Sequence, residues 1–224
     1  MRPVIRLFGP PVDEVVRFAA ERFGRKKVIV WGIPPEVHVK CDTPEVIEAF
    51  LQRFTTSVFS ITDGSLEATV AGLLIAAGQT LGTAESCTGG LIGHLLSGLP
   101  GVSACYCGGV VAYSNAAKSS VLGVPVEDLE RQGAVSREVV VAMAEGIRRV
   151  MHSDWGLSVS GIAGPDGGTS EKPVGMVWMA AAGPSGTRAE VQRFVGDRAG
   201  IKALAAAHSL NLLRTAILGG HGGG

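Results

Sequence analysis

Apolar and polar positions in the first 60 residues follow two periods that alternate along the chain. Residues 4–8 alternate apolar and polar side chains, as a strand with one buried face does, and residues 12–23 repeat apolar side chains at helical spacing. The same patterns predict two strands, a helix and a last strand, over 27–31, 37–40, 44–54 and 57–61. The order βαββαβ matches a split βαβ module, so this region is predicted to be a small α+β domain.

The second helix of this region has a defined beginning and an apolar face. Thr43 is predicted to cap it, with Pro44 in its first turn. Its buried face is predicted to consist of Val46, Ile47, Phe50, Leu51 and Phe54. Nothing in the region has the pattern of a catalytic site, and His38, which alternates with apolar residues in a strand, is interpreted as structural.

From residue 65 onward, strand and helix patterns alternate over a longer stretch. Strands are predicted over 80–84, 105–112, 157–162, 174–182 and 189–195. Helices are predicted after the capping residues Ser65, Ser114 and Ser136, and over 90–97 and 198–218. The helix after Ser136 is predicted to bury Val139, Val140, Met143, Ile147 and Val150. This order predicts a three-layer α/β/α domain, and the consecutive strands near its end favour a mixed sheet.

Charge and aromatic content change near residue 60, which indicates a domain boundary. Charged residues number 16 in the first 60 positions and only 24 in the remaining 164, and six of the seven Phe lie in the first 60. Two regions of such different composition are predicted to be two domains. We therefore expect a small linker-type domain over 1–62, a larger domain over 63–218, and a flexible tail over 219–224.

The overall composition excludes several classes of protein. Lys+Arg and Asp+Glu number 20 each and 46% of residues are hydrophobic, which argues against a disordered chain and against a dedicated nucleic-acid binder. Residues 86–117 carry no Lys, Arg, Asp or Glu, but they contain no run of about 20 apolar residues, so no membrane span is expected.

The cysteines and the first residues of the chain point to a reducing compartment. Four cysteines are too few for a disulfide scaffold, and the C-x-C of Cys105 and Cys107 lacks further metal ligands nearby, so no metal is expected. The first residues contain no long apolar stretch of a secretory signal, which predicts a cytoplasmic protein.

The segment Ala84–Gly93, A-E-S-C-T-G-G-L-I-G, is the strongest candidate for chemistry. A strand ends, Ser86, Cys87 and Thr88 follow, and two glycines precede a helix. Small nucleophilic side chains would then lie where unpaired amides and the helix dipole favour an anion. By spacing alone, a simple helix cap and tight turn explain the segment at least as well.

A serine nucleophile needs a base, and none of the five histidines has a recognisable partner motif. Lys118 is the only charged residue between Glu85 and Glu127, directly after an apolar strand and the nearby Tyr113. Apolar surroundings lower the pKa of a lysine, which would make Lys118 a usable base at neutral pH. The alternatives are an ordinary surface lysine and a tyrosine that either relays a proton or only packs.

Two further segments suggest binding. The glycine-rich stretch from Ser160 to Pro173 follows an apolar strand and could present backbone N–H groups to a phosphate or another polar ligand, or be a plain surface loop. Arg198, at the start of the last helix, could clamp a phosphate or carboxylate, or pair with a neighbouring acid.

These segments together resemble the C-terminal domain of the CinA family of competence/damage-inducible proteins, which also occurs alone as nicotinamide-nucleotide amidases. The motifs occur in family order from T-A-E-S-C-T-G-G to G-D-R, within about residues 64–218. Residues 1–62 are similar to the linker domain that precedes this region in full-length CinA. The large molybdopterin-binding-like domain of full-length CinA is absent from the sequence, so its ADP-ribose hydrolysis is expected to be absent too.

The resemblance implies deamidation of nicotinamide mononucleotide to nicotinate mononucleotide and ammonia, without a metal or an organic cofactor. It implies that Ser86 is the nucleophile, Lys118 the base and Tyr113 a supporting residue, with Cys87 packing or orienting. A family threonine falls on Ser160, which keeps the hydroxyl. The expected substrate-binding residues are Thr88, Gly89, Gly90, Ser160, Gly161, Gly164 and Arg198. The amides around Thr88–Gly90 are expected to hold the oxyanion, and the family suggests a homo-oligomer, a dimer or larger.

Two other functions remain compatible with the sequence. One is a non-enzymatic nucleotide-binding or competence-associated interaction protein, against which the presence of Ser86, Tyr113, Lys118 and Arg198 argues. The other is an amidase for a different small carboxamide, since no residue pattern fixes the base or the sugar of the substrate.

Overall fold

The computed structural model of the chain describes residues 3–24, 28–41, 43–62 and 64–220, which form two compact units. The first unit comprises residues 1–69 and the second residues 70–224. None of the helices in these described ranges is both long enough and apolar enough to span a bilayer.

The first unit has the predicted βαββαβ order. Its elements are β1 (Val4–Phe8), α1 (Val12–Phe23), β2 (Ile29–Ile33), β3 (Glu36–Lys40), α2 (Pro44–Arg53) and β4 (Val58–Ser60). They form one sheet in the order β2-β3-β1-β4, in which all neighbours are antiparallel. The helices pack on one face of this sheet around a core that includes Ile5, Leu7, Val37, Val39 and Phe50.

Three details of this unit differ from the expectation. Leu51 is exposed, because the buried face of α2 is narrower than the run of apolar residues. Thr43 occupies the cap position of α2, but its side chain makes no capping hydrogen bond. Strand β2 begins at Ile29, and Lys27, where the strand was predicted to begin, lies outside the described residues.

The second unit is the predicted three-layer domain. Its helices are α3 (Leu66–Ala77), whose first four residues belong to the first unit, α4 (Leu91–Ser97), α5 (Asn115–Leu122), α6 (Val126–Gln132), α7 (Arg137–Met151) and α8 (Arg198–Gly220). Its strands are β5 (Leu81–Glu85), β6 (Tyr106–Val111), β7 (Trp155–Gly161), β8 (Met176–Gly183) and β9 (Gly186–Arg193). The sheet order is β6-β5-β7-β8-β9, parallel among the first three strands and antiparallel thereafter, so the sheet is mixed as predicted.

Some helical features of this unit were not predicted. The pattern missed α6 and a short 3-10 helix over Val102–Ala104. Val150 is exposed near the end of α7 although it was predicted to be buried. Helix α8 continues through Gly219 and Gly220, which were assigned to a flexible tail, and residues 221–224 lie outside the described ranges.

Helix α5 is held in place by a close approach to α7. Gly146 of α7 is buried against the end of α5, where an added Cβ would overlap the carbonyl oxygen of Leu122. Arg149, one turn further on, donates from Nη2 to the same carbonyl at 3.4 Å. The position of α5 therefore depends on the absence of a side chain at residue 146.

We predict that Gly146→Ala lowers the free energy of unfolding by about 2 kcal/mol or more, because the Cβ forces α5 and α7 apart. Gly72→Ala is the matched control, since Gly72 is an exposed glycine inside α3 with open space around its Cα. We expect the control to stabilise by roughly 0.5–1 kcal/mol through helix propensity. Urea unfolding measures both, and equal effects of the two substitutions would contradict the prediction.

Candidate active site

The candidate residues gather at one edge of the second sheet. Strands β5, β6 and β7 are parallel neighbours, so their carboxyl ends lie together at the edge where α/β proteins commonly bind ligands. Ser86 directly follows β5, and its backbone N–H donates to the carbonyl of Val159 in β7 at 3.0 Å. Lys118 follows β6 on α5, whose first turn is capped by Ser114 as predicted.

The structure brings Ser86 and Lys118 into contact. Nζ of Lys118 lies 3.1 Å from Oγ of Ser86, and it donates to the carbonyls of Ala112 at 2.9 Å and Tyr113 at 3.2 Å. A neutral amine has two N–H groups and one lone pair. If the two carbonyls take both N–H groups, the lone pair faces the hydroxyl of Ser86.

The surroundings of Lys118 favour this neutral form. Its side chain is 1% exposed and makes no ion pair within the described part of the chain. Removal from water penalises the charged ammonium, so burial lowers the pKa of Lys118 below the ordinary value of 10.5. The structure therefore buries the lysine that the sequence pattern suggested as a base.

Cys87 lies beside this pair but has the wrong electrostatics for a nucleophile. Its side chain is buried, and removal from water raises the pKa of the thiol to about 12, although Lys118 and nearby backbone amides oppose the shift. A thiolate is the reactive form of cysteine, and at neutral pH almost none would be present here. Ser86 thus contacts the amine of Lys118, whereas the neighbouring thiol is kept protonated at neutral pH.

Glu85, which the sequence analysis did not single out, fixes the turn that carries Ser86. Its side chain is 2% exposed, and its carboxylate accepts hydrogen bonds from the amides of Gly90 at 3.0 Å, Ile92 at 3.1 Å and Gly93 at 2.8 Å. The carboxylate thus satisfies the first amides of α4, where helix N-termini attract negative charge. The signal that could have revealed it is a single acid at the end of an apolar strand, four residues before a glycine pair that precedes a helix.

These bonds change the expected oxyanion site. The amide of Gly90 is taken by Glu85 and the amide of Gly89 by the carbonyl of Ser86 at 3.1 Å, so neither is free for a ligand. The amides of Cys87 and Thr88 instead approach the sulfur of Cys87. Thr88 is buried, and its hydroxyl has no hydrogen-bond partner in the described ranges.

A cavity of about 210 Å³ opens next to the Ser86–Lys118 pair. Six of the predicted site residues line it: Ser86, Tyr113, Lys118, Ser160, Gly161 and Arg198. Cys87, Ala134, Val135 and Ala163 complete the wall with small or apolar side chains. Thr88, Gly89, Gly90 and Gly164 do not contribute to it, so the structure brings together only part of the predicted set.

Arg198 and Tyr113 are joined at the mouth of this cavity. Nη2 of Arg198 donates to the hydroxyl of Tyr113 at 3.0 Å, and Nη1 donates to the carbonyl of Gly164 at 2.7 Å. The hydroxyl of Tyr113 therefore contacts the guanidinium, and only its backbone carbonyl contacts Lys118. Gly164, with φ of +76° and Val174 in the space of a Cβ, holds Arg198 through its backbone.

The end of β7 forms another part of the cavity wall. The hydroxyl of Ser160 is buried and donates to the carbonyl of Ala134 at 2.7 Å, so it connects β7 to the loop before α7. At Gly161 an added Cβ would press on Val177 and the carbonyl of Met176. Both residues shape the cavity, Ser160 by a hydrogen bond and Gly161 by its lack of a side chain.

The described residues contain no cluster of three or more His, Cys, Asp or Glu side chains that could hold a metal ion. In the predicted C-x-C pair, Cys105 is buried and Cys107 is exposed.

Sequence comparison places the second unit among known proteins. Residues 63–217 match the family model of the CinA C-terminal domain. A CinA-like protein of Anaeromyxobacter sp. (strain Fw109-5) is 45% identical over 97% of the chain and 52% of its own length. A CinA-like protein of Parasynechococcus marenigrum is 52% identical over 77% of the chain and 42% of its own length. The chain spans about half the length of these relatives, and similarity to the Anaeromyxobacter protein includes the first unit.

Solved structures agree with these matches. A CinA superfamily protein from Klebsiella pneumoniae has 37% identity and a TM-score of 0.66, covering 68% of the chain and 96% of that protein. The competence/damage inducible protein CihA from Agrobacterium tumefaciens has 37% identity and a TM-score of 0.64, covering 70% of the chain and 98% of that protein.

We predict that Glu85→Ala lowers the free energy of unfolding by roughly 3 kcal/mol or more, because three amides lose their acceptor in a mostly buried place. Glu138→Ala is the matched control, since Glu138 is an exposed acid in the first turn of α7. We expect that control to cost less than about 1 kcal/mol, the contribution of a helix dipole at the surface. Chemical denaturation compares the two, and similar losses would show that the Glu85 bonds do not hold the turn.

Proposed function

The chain belongs to the CinA C-terminal domain family, and on that premise we propose that it is an amidohydrolase that converts nicotinamide mononucleotide to nicotinate mononucleotide and ammonia. The observation that carries the proposal is the 3.1 Å approach of a buried lysine amine to the hydroxyl of Ser86. A serine paired with a neutral lysine performs acyl transfer on an amide without a metal. The nucleotide as substrate comes from the resemblance in the motifs.

In the first half of the reaction, neutral Lys118 takes the proton of Ser86 while Oγ attacks the amide carbon of the substrate. The new Oγ–C bond converts the carbonyl to a tetrahedral oxyanion. The ammonium of Lys118 then gives its proton to the amide nitrogen, the C–N bond breaks, and ammonia leaves. The product is an ester between Ser86 and the nicotinate group, and Lys118 is neutral again.

The oxyanion is held by the amides of Cys87 and Thr88. The residue after a nucleophilic serine commonly supplies such a donor. In the part of the chain that the structure describes, these two amides have no hydrogen bond to an oxygen acceptor, whereas those of Gly89 and Gly90 are already bonded. Each donor of this kind contributes about 3 kcal/mol to the transition state.

In the second half, Lys118 takes a proton from a water molecule whose oxygen attacks the ester carbon. A second oxyanion forms and collapses, the Oγ–C bond breaks, and Lys118 returns the proton to Ser86. The sum is one amide and one water converted to a carboxylic acid and ammonia. The two carbonyls that bind Nζ keep the lysine in place through both halves.

We predict that Ser86→Ala reduces ammonia release from nicotinamide mononucleotide at least about 1,000-fold, because no nucleophile remains. Cys87→Ala is the matched control, since it removes the adjacent cavity-lining side chain and leaves the hydroxyl in place. We expect the control to retain activity within about tenfold. A colorimetric or enzyme-coupled ammonia assay on folded protein measures both.

The reverse pattern, with an active Ser86→Ala and an inactive Cys87→Ala, would assign the nucleophile to the thiol. Ammonia release from another small carboxamide but not from this nucleotide would keep the mechanism and change the substrate. Tight nucleotide binding with no turnover of either would favour a non-enzymatic binding protein.

The protonation of Lys118 also predicts the pH dependence of the reaction. The charged lysine cannot accept the Ser86 proton, so kcat/KM should rise with pH and level off above the pKa of Lys118, which burial lowers below 10.5. Lys118→Arg should be inactive throughout, because arginine stays protonated. Steady-state rates between about pH 5.5 and 10 test this.

Tyr113→Phe separates a proton relay from a structural role. The phenol contacts Arg198 and not Nζ of Lys118. We therefore expect kcat/KM of this variant to rise with pH as in the wild type, while KM increases. Two results would contradict the assignment of Lys118 as the base: a kcat/KM of Tyr113→Phe that no longer rises with pH, or a kcat/KM of the wild type that is constant over the whole pH range.

A further inference from the structure

A second cavity of about 410 Å³ adjoins the one at Ser86. It is lined by Leu91, Arg198, Ala199 and Lys202, and Arg198 lines both cavities. Arg198 therefore borders both spaces. A ligand that starts beside Ser86 and passes the guanidinium would enter this second space.

Lys202 brings a second cation to this place. It lies one helical turn after Arg198 on α8, so the two side chains share one face of the helix. Nζ of Lys202 lies 3.6 Å from where a Cβ on Gly89 would be, which puts the amine beside the turn that carries Ser86. Gly89 has φ of +64°, so a substituent there would be strained as well as close to the amine.

Neither cation has an acidic partner within the described ranges. Arg198 donates only to a carbonyl and a hydroxyl, and Lys202 makes no ion pair or hydrogen bond there. Two uncompensated cations that converge beside an active-site cavity attract an anion, and a phosphate accepts from both guanidinium and ammonium groups.

The size of the first cavity points to the same conclusion. Sites for ligands of nucleotide size usually measure about 300 Å³ or more, and the cavity at Ser86 is only about 210 Å³. That space suits a nicotinamide ring with its amide at Ser86. The ribose and the phosphate must then extend past Arg198 toward Lys202.

We propose that Lys202, together with Arg198, binds the 5′-phosphate of the substrate and so makes the site select a nucleotide over the corresponding nucleoside. This inference rests on the proposed amidase function. It assigns to Lys202 a substrate-binding role that the motif pattern did not suggest.

The backbone amides at the start of α8 are not the groups that bind the phosphate. Asp197 Oδ1 accepts from the amide of Gly200 at 2.7 Å, so the carboxylate caps the helix and takes that donor. The carboxylate of Asp197 also repels an anion at the helix terminus itself. The phosphate is therefore held by side chains, those of Arg198 and of Lys202 one turn further along the helix.

The test compares nicotinamide mononucleotide with nicotinamide riboside, which lacks the phosphate. For Lys202→Met we expect KM for the nucleotide to rise about tenfold, as when one charge-assisted bond is lost, with kcat little changed. The same variant should change KM for the riboside less than about twofold. Lys202→Arg should restore most of the affinity for the nucleotide, since it returns a cation to the site.

Arg131→Met is the matched charge control. Arg131 is an exposed cation of the same unit that lines neither cavity, and its loss should leave the constants for both substrates unchanged. The proposal is wrong if Lys202→Met leaves KM for the nucleotide unchanged, or if it changes both substrates by the same factor.

A binding experiment tests the phosphate site independently of turnover. Isothermal titration of ribose 5-phosphate into the wild type should give measurable binding that weakens about tenfold in Lys202→Met, while ribose shows no difference between the two proteins. If the wild type hydrolyses neither substrate but this difference is present, the amidase function fails and the phosphate site stands. If the wild type binds neither ribose 5-phosphate nor the nucleotide, the phosphate site is overturned.

Discussion

The removal of one lysine amine from water is the interaction on which the site depends. Lys118 is buried on α5 with two carbonyls and one hydroxyl as neighbours, and no carboxylate among the described residues pairs with it. A protonated amine in such a place is costly, so the fold favours the form that can accept a proton. Burial also raises the pKa of the neighbouring Cys87 thiol, so the thiolate is scarce at neutral pH, in keeping with the proposal that Ser86 is the nucleophile.

The surrounding structure keeps the two partners together. Lys118 depends on α5, which Gly146 allows to pack closely on α7, and Ser86 depends on the turn that the Glu85 carboxylate ties to the first amides of α4. Because Glu85 accepts from those amides, the start of α4 has a structural role, and the proposed reaction needs other amides of the turn to stabilise its oxyanion. The backbone amides of this short turn thus fall into two groups, those that bind the Glu85 carboxylate and those that the proposed reaction would use.

Much of this organisation can be predicted from the sequence, for identifiable reasons. Apolar periodicity located most elements and the mixed sheet, and the caps Ser114 and Ser136 marked where α5 and α7 begin. Periodicity does not report how wide a buried face is, so Leu51 and Val150 were assigned to cores that they do not enter. Spacing also does not reveal which acceptor takes an amide, so the role of Glu85 emerged only from its hydrogen bonds. The sequence also does not show that Lys202 lies beside the turn that contains Gly89, because the two are far apart along the chain.

The most direct test of the central claim is to locate the acyl group during turnover. The protein is mixed with nicotinamide mononucleotide, quenched in acid within the first turnovers, digested, and examined by mass spectrometry. The account predicts a nicotinate mononucleotide ester on the peptide that contains Ser86, specifically on its hydroxyl and absent from Ser86→Ala. An adduct on Cys87, or on any residue other than Ser86, would contradict it.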